Sequence, residues 1–87
     1  MEVGRTIIQN EEGLHFGKAA EVVLCAQKFR SKIVLCHQSK VGDACSIMEV
    51  VSLGASTQAD LIVITHGPDE KEVLNGIIGL LNHGGGI

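Results

Sequence analysis

Lys32-Ile33-Val34-Leu35-Cys36-His37-Gln38-Ser39-Lys40-Val41 is the stretch on which the fold class turns. Ile33 and Leu35 alternate on one face of a strand over 32–37, and the turn Gln38-Ser39-Lys40 leads straight into a short third strand around Val41. Strands joined this tightly run antiparallel, because a parallel pair needs a crossover of about a dozen residues or more. Upstream, Ala19, Val22, Val23, Ala26 and Phe29 recur at helical spacing within 16–28, and Leu24 falls off that stripe. Lys28 suits the negative end of such a helix. Before it, Val3 to Gln9 reads as a strand that ends in the polar turn Asn10-Glu11-Glu12-Gly13. Downstream, Ser46 reads as the N-cap of a short helix, 47–53, closed by Gly54. Val50, Val51 and Leu53 can reach a core from it, whereas Ile47 and Met48 must partly face outward. Asp60 to His66 is a fourth strand. Asp69 with Glu72 resembles a capping box for a last helix to about Asn82, whose stripe is Val73, Leu74, Ile77, Ile78 and Leu81. The order βαββαβα predicts an α+β domain, with helices on one face of a mostly antiparallel sheet.

The 87 residues suit one domain, 1–87, with the glycine tail at 84–87 expected to fray. Hydrophobic residues make up 45% of the chain, yet Phe16 and Phe29 are its only aromatics, so the core must be aliphatic. A net charge of -3 and the lack of Trp and Tyr argue against nucleic-acid binding, which uses basic surfaces and stacking platforms. No apolar run is long enough to insert in a membrane, and the first residues lack the pattern of a signal peptide. A cytoplasmic protein is expected. Cys25, Cys36 and Cys45 are then free thiols, and His37, His66 and His83 lack ligand spacing, so neither a metal nor a cofactor is expected.

Strand alternation carries one further implication. If Ile33, Leu35, Leu61 and Val63 point inward, then Val34, Cys36, Ile62 and Ile64 point outward, with Ile7 beside them. So apolar an open face is either a surface for self-association, giving a homodimer, or a patch favoured by strand propensity alone.

The chemistry concentrates in Gly13-Leu14-His15-Phe16-Gly17-Lys18-Ala19-Ala20. His15 stands where a polar turn meets the start of a helix, beside unpaired backbone N–H groups that attract anions. Neutral imidazole is a good nucleophile near neutral pH, and its phosphoramidate is labile enough to pass the group on. The N–H groups of Phe16 and Gly17 would stabilise the added charge, with Lys18 as a nearby cation. No glycine-rich phosphate loop and no nucleophile elbow are present, so nothing else in the chain resembles an enzyme site.

Gly13-Leu14-His15 with Ala19-Ala20, Ser46-Ile47-Met48 with Ser52-Leu53-Gly54, and Gly67 with Asp69-Glu70 together resemble HPr, the histidine-containing phosphocarrier family of the bacterial sugar phosphotransferase system. The resemblance covers nearly the whole chain. It implies an open-faced β-sandwich with strand order 1-4-2-3 under three helices. It also implies that His15 accepts a phosphoryl group from enzyme I and passes it to sugar-specific acceptors. A serine kinase would act on Ser46, and Ile47, Met48 and Val51 would form a docking surface for partners. Ser46 as a plain N-cap, and Ile47 and Met48 as ordinary half-buried residues, are the structural alternatives. The family motif places Arg then Pro where this chain has Gly17 and Lys18. The arginine pairs with the phosphoryl group, which a glycine cannot do. That departure leaves a second reading, an HPr-derived regulatory or interaction module that binds a partner through 46–48 without efficient transfer at His15. Glu12 is a third departure, since a carboxylate there repels a phosphoryl group unless it points away.

Overall fold

Four strands form one sheet in the order β1-β4-β2-β3, each antiparallel to its neighbour, in a computed structural model that describes residues 1–82. The strands are β1 (Glu2–Ile7), β2 (Lys32–His37), β3 (Lys40–Asp43) and β4 (Asp60–His66). The helices are α1 (Phe16–Ala26), α2 (Ile47–Ser52) and α3 (Glu70–Asn82). The element order and the strand order are those expected. The tail expected to fray, 84–87, lies outside the described residues.

The inner face of the sheet carries Thr6, Leu61, Val63, Thr65, Ile33 and Leu35, all buried. Val22 and Val23 of α1, Val50 of α2, and Val73, Ile77 and Leu81 of α3 join them in the core. Thr65 is a polar residue at the centre of this layer, and its hydroxyl donates to the Glu70 carbonyl at 2.9 Å, which removes the cost of an unpaired group. Helix α3 shows which effect prevails. Gly76 and Gly79 each cost it about 1 kcal/mol. Val73, Ile77 and Leu81 are fully buried, and each such side chain contributes roughly 1.5–3 kcal/mol, so packing outweighs propensity.

Element ends differ from the sequence reading for identifiable reasons. The first strand stops at Ile7 and not at Gln9. There the chain leaves β4: Ile8 N–H donates to the Ala59 carbonyl, Gln58 N–H donates to the Ile8 carbonyl, and Gln9 N–H donates to the Leu81 carbonyl. Helix α1 stops at Ala26, because Lys28 and Phe29 donate to carbonyls three residues back and tighten the last turn. Leu53 is the C-cap of α2 and not its last turn.

The capping box expected of Asp69 and Glu72 does not form. The Asp69 carboxylate accepts instead from the Ser31 hydroxyl and from the Arg30 N–H, tying the start of α3 to the end of the α1–β2 loop. Those two bonds hold its carboxyl below the usual carboxylate range. Glu70 does the reaching back: its Oε1 accepts from Gly67 N–H at 3.0 Å and its Oε2 from the Met1 ammonium at 2.9 Å. The Gly67 bond first, then the ammonium, lowers its pKa as well.

The other face of the sheet is open. The register sets Val3, Ile64 and Val34 in one row across it, and Arg5, Ile62, Cys36 and Val41 in the next. Val3 and Val41 are 61% and 67% exposed. Arg5 and Asp60 pair across its margin at 3.5 Å.

Candidate functional site at the start of helix α1

A tight turn delivers His15 to the surface. Gly13 N–H donates to the Asn10 carbonyl, and Asn10 Nδ2 donates back to the Gly13 carbonyl at 2.6 Å. Gly13 has φ of +68°, and a Cβ there would stand 2.5 Å from the Ala55 carbonyl oxygen. Glycine is therefore required twice, for its backbone angle and for space. The close approach lets Leu14 N–H donate to that same carbonyl at 2.9 Å. Leu14 is buried, and His15 emerges beside it. The loop is thereby fastened to the segment that follows α2.

His15 is the N-cap of α1, with φ of -84° and ψ of -179°. Its carbonyl accepts the first helical bond, from Ala19 N–H. Its side chain bends back over the helix start. Nδ1 accepts from Gly17 N–H at 3.1 Å, and Nε2 lies 3.0 Å from Glu12 Oε1. A backbone N–H only donates and an ionised carboxylate only accepts. The Gly17 bond thus selects one tautomer, with the proton on Nε2 and the lone pair on Nδ1, and the Glu12 carboxylate stands beside the protonated nitrogen as an ion-pair contact. The Glu12 carboxylate stands on the Nε2 side of the ring, away from the atom with the lone pair.

The flanking residues divide. Phe16 and Gly17 are exposed at the helix start, where backbone N–H groups are free of intrahelical partners. Lys18 is buried along its stem, only 7% exposed, and its Nζ lies 3.3 Å from Glu21 Oε1. Its charge is spent within α1 rather than on His15.

Ser46 is the N-cap of α2, and its Oγ accepts from Glu49 N–H at 3.3 Å. Two carboxylates organise the same turn. Glu49 Oε1 accepts from Asp43 N–H, and Asp43 Oδ1 accepts from Cys45 N–H, each at 2.8 Å. Burial, then the Asp43 carboxylate, raises the Cys45 thiol's pKa, which disfavours a thiolate there. Ile47 and Val51 are half-buried against the core, and Met48 is 64% exposed. Helices α1 and α2 pack on each other. Glu49 and Asp43 belong to the Ser46 turn although the sequence singled out only Ser46 there, and Glu12, singled out as a departure, lies beside His15. Spacing of three residues, Glu12 to His15 and Ser46 to Glu49, was the available signal. Among the described residues no group of three or more His, Cys, Asp or Glu side chains is placed to hold a metal ion. No helix among them is long and apolar enough to cross a membrane.

Residues 4–83 match the family model described as the PTS HPr component phosphorylation site. Over 77 residues the chain is 35% identical to the phosphocarrier protein HPr of Treponema pallidum, covering 88% of each. It is also 36% identical over 78 residues to the multiphosphoryl transfer protein of Haemophilus influenzae, covering 86% of this chain but only 16% of that longer one. The crystal structure of HPr-C-His from Thermoanaerobacter tengcongensis superposes with a TM-score of 0.89 at 34% identity, over 93% of this chain and 91% of the other.

Proposed function

The chain belongs to the HPr family of phosphotransferase-system phosphocarriers, which relay a phosphoryl group and are not independent catalysts, and on that premise we propose that His15 is the residue that carries it. The observation behind this reading is the His15 ring itself, with Nδ1 accepting from Gly17 N–H at the exposed start of α1. In the transfer, the Nδ1 lone pair attacks phosphorus. The N–P bond forms as the bond from phosphorus to the donor breaks, and the Nε2 proton stays in place. Nδ1 then has no lone pair for Gly17 N–H, so that donor turns to a phosphoryl oxygen, joined by Phe16 N–H. Lys18 contributes its charge only by leaving Glu21. The return step reverses these bonds onto the acceptor and leaves the ring in its starting tautomer.

The donor in this reading is enzyme I, charged from phosphoenolpyruvate, and the acceptors are sugar-specific proteins, all in the cytoplasm. Ile47, Met48 and Val51 form the docking surface, with exposed Met48 at its centre. Ser46 is the site of a regulatory serine kinase. The phosphate would stand beside Asp43 and Glu49, so it would act by displacing Glu49 from its cap and altering that surface. The open sheet face serves a homodimer, and a monomeric mass at high micromolar concentration would count against that.

Incubation with phosphoenolpyruvate and enzyme I from the same organism tests the central reading. Acid-labile phosphate should appear on the native chain and be absent from His15→Ala; no labelling of the native chain overturns it. Acid-stable phosphate from ATP and the cognate kinase, lost in Ser46→Ala, is required for regulation.

A further inference from the structure

We infer that Glu12 is a positioning residue for phosphoryl transfer, acting with the bare backbone of Gly17 to clamp the His15 ring with Nδ1 as its nucleophilic atom; this rests on His15 being the acceptor. The clamp has two jaws. On one side Glu12 Oε1 is 3.0 Å from Nε2. On the other, Gly17 N–H reaches Nδ1 at 3.1 Å. Gly17 is also the space into which the ring folds, because a Cβ there would lie 2.7 Å from His15 Cε1 and 3.3 Å from Nδ1. A side chain at 17 and this ring position exclude each other. Two of the departures from the family motif, the carboxylate at 12 and the glycine at 17, are therefore parts of one arrangement. With no arginine at 17 to draw the phosphoryl group in, the chain holds the acceptor atom ready instead.

Charge accounting favours the same assignment. Attack by neutral imidazole leaves a positive charge on the ring, shared with Nε2–H. The Glu12 carboxylate lies 3.0 Å from Nε2, close to where that charge develops. No proton has to move in either direction of transfer. Glu12 is 74% exposed and His15 43%, so the contact is worth little to stability. Its effect lies in orientation.

The experiment combines a long-range proton–nitrogen spectrum of the His15 ring with the transfer rate from enzyme I, on the native chain, Glu12→Ala, Glu12→Gln and Gly17→Ala. The native ring should show Nε2 protonated and Nδ1 bare. In Glu12→Ala the two nitrogen shifts should move toward each other as tautomers exchange, and transfer should slow about three- to fivefold, the scale of an exposed pair. Glu12→Gln keeps an oxygen for Nε2–H, so it should restore both the spectrum and most of the rate, which a structural or purely electrostatic role would not do. Gly17→Ala should displace the ring and alter the spectrum while helix α1 becomes no less stable. A native ring protonated at Nδ1, or a Glu12→Ala spectrum identical to the native one, overturns the inference. Equal losses of rate in Glu12→Ala and Glu12→Gln also overturn it. If the native chain takes no phosphate at all, the acceptor assignment is what has failed, and the ring spectrum still decides whether Glu12 holds Nε2.

Discussion

Gly13 governs where His15 stands without touching the ring. Its left-handed backbone and its approach to Ala55 set the height at which the helix starts. In Gly13→Ala the Cβ meets backbone atoms, which cannot move aside as a flexible side-chain tip can. The expected cost is about 2–3 kcal/mol, from the unfavourable φ together with the clash. Chemical denaturation should show it as a lower midpoint with an unchanged slope, and a loss under about 0.5 kcal/mol would mean that the loop relaxes easily. The need for glycine was readable in Asn10-Glu11-Glu12-Gly13, since a polar turn before a helix calls for such an angle. The direction of Glu12 was not. A side chain three residues before a histidine can face the ring or solvent, and only the bent-back ring over Gly17 decides between them. Lys18 lies along the core for a related reason: a long stem beside aliphatic side chains gains more by lying along them than by reaching into water.

Among the elements, the β2–β3 hairpin is the most legible and also the least comfortable. Alternation at Ile33 and Leu35 placed its first strand to the residue, because one face is buried and a slip would expose it. His37 pairs with Lys40 across a two-residue turn in which Gln38 has φ of +57°. Glutamine lacks the freedom of glycine there, and hairpin turns prefer glycine or asparagine for that reason. Gln38→Gly should therefore stabilise the protein, by about 0.5–1 kcal/mol after the entropy cost of glycine is subtracted. A fall in melting temperature would show that Gln38 contributes contacts that offset its strain. Helix α2 behaves differently. Ser46→Ala should cost about 1 kcal/mol through the lost cap alone, measured by thermal unfolding of unphosphorylated protein. That baseline must be known before any effect of phosphate is assigned. The helices were found by their three-and-four spacing. Asp69 and Glu72 misled because their spacing fits a cap, while Arg30 and Ser31, remote in sequence, took the Asp69 carboxylate first.

For the whole molecule the two carboxylates at the start of α3 contribute to the acid limit. Both Asp69 and Glu70 have folded pKa values depressed below their unfolded ones. The stability they contribute is complete above the unfolded carboxylate values of about 4, and it is lost as pH falls through the lower folded ones. Asp69→Asn and Glu70→Gln should each lower stability at neutral pH and flatten its decline below about pH 4, followed by circular dichroism. A double variant with an acid limb as steep as the native one would place the sensitivity elsewhere. The aliphatic core and the open apolar face were both foreseeable from strand alternation. The sheet order was not, because periodicity says which face a strand buries and nothing about which strand lies beside it. That order came only with the family resemblance.

The pairing of β1 with β4 has a consequence during synthesis. Glu2–Ile7 leaves the ribosome more than fifty residues before its hydrogen-bond partner, Asp60–His66. Until then only the β2–β3 hairpin and local helix are available, and the Ala55 carbonyl that fastens the histidine loop has barely emerged. The nascent chain thus exposes the histidine motif as sequence long before it exists as a shaped site. A partner that reads the shape, not the peptide, will ignore unfinished copies.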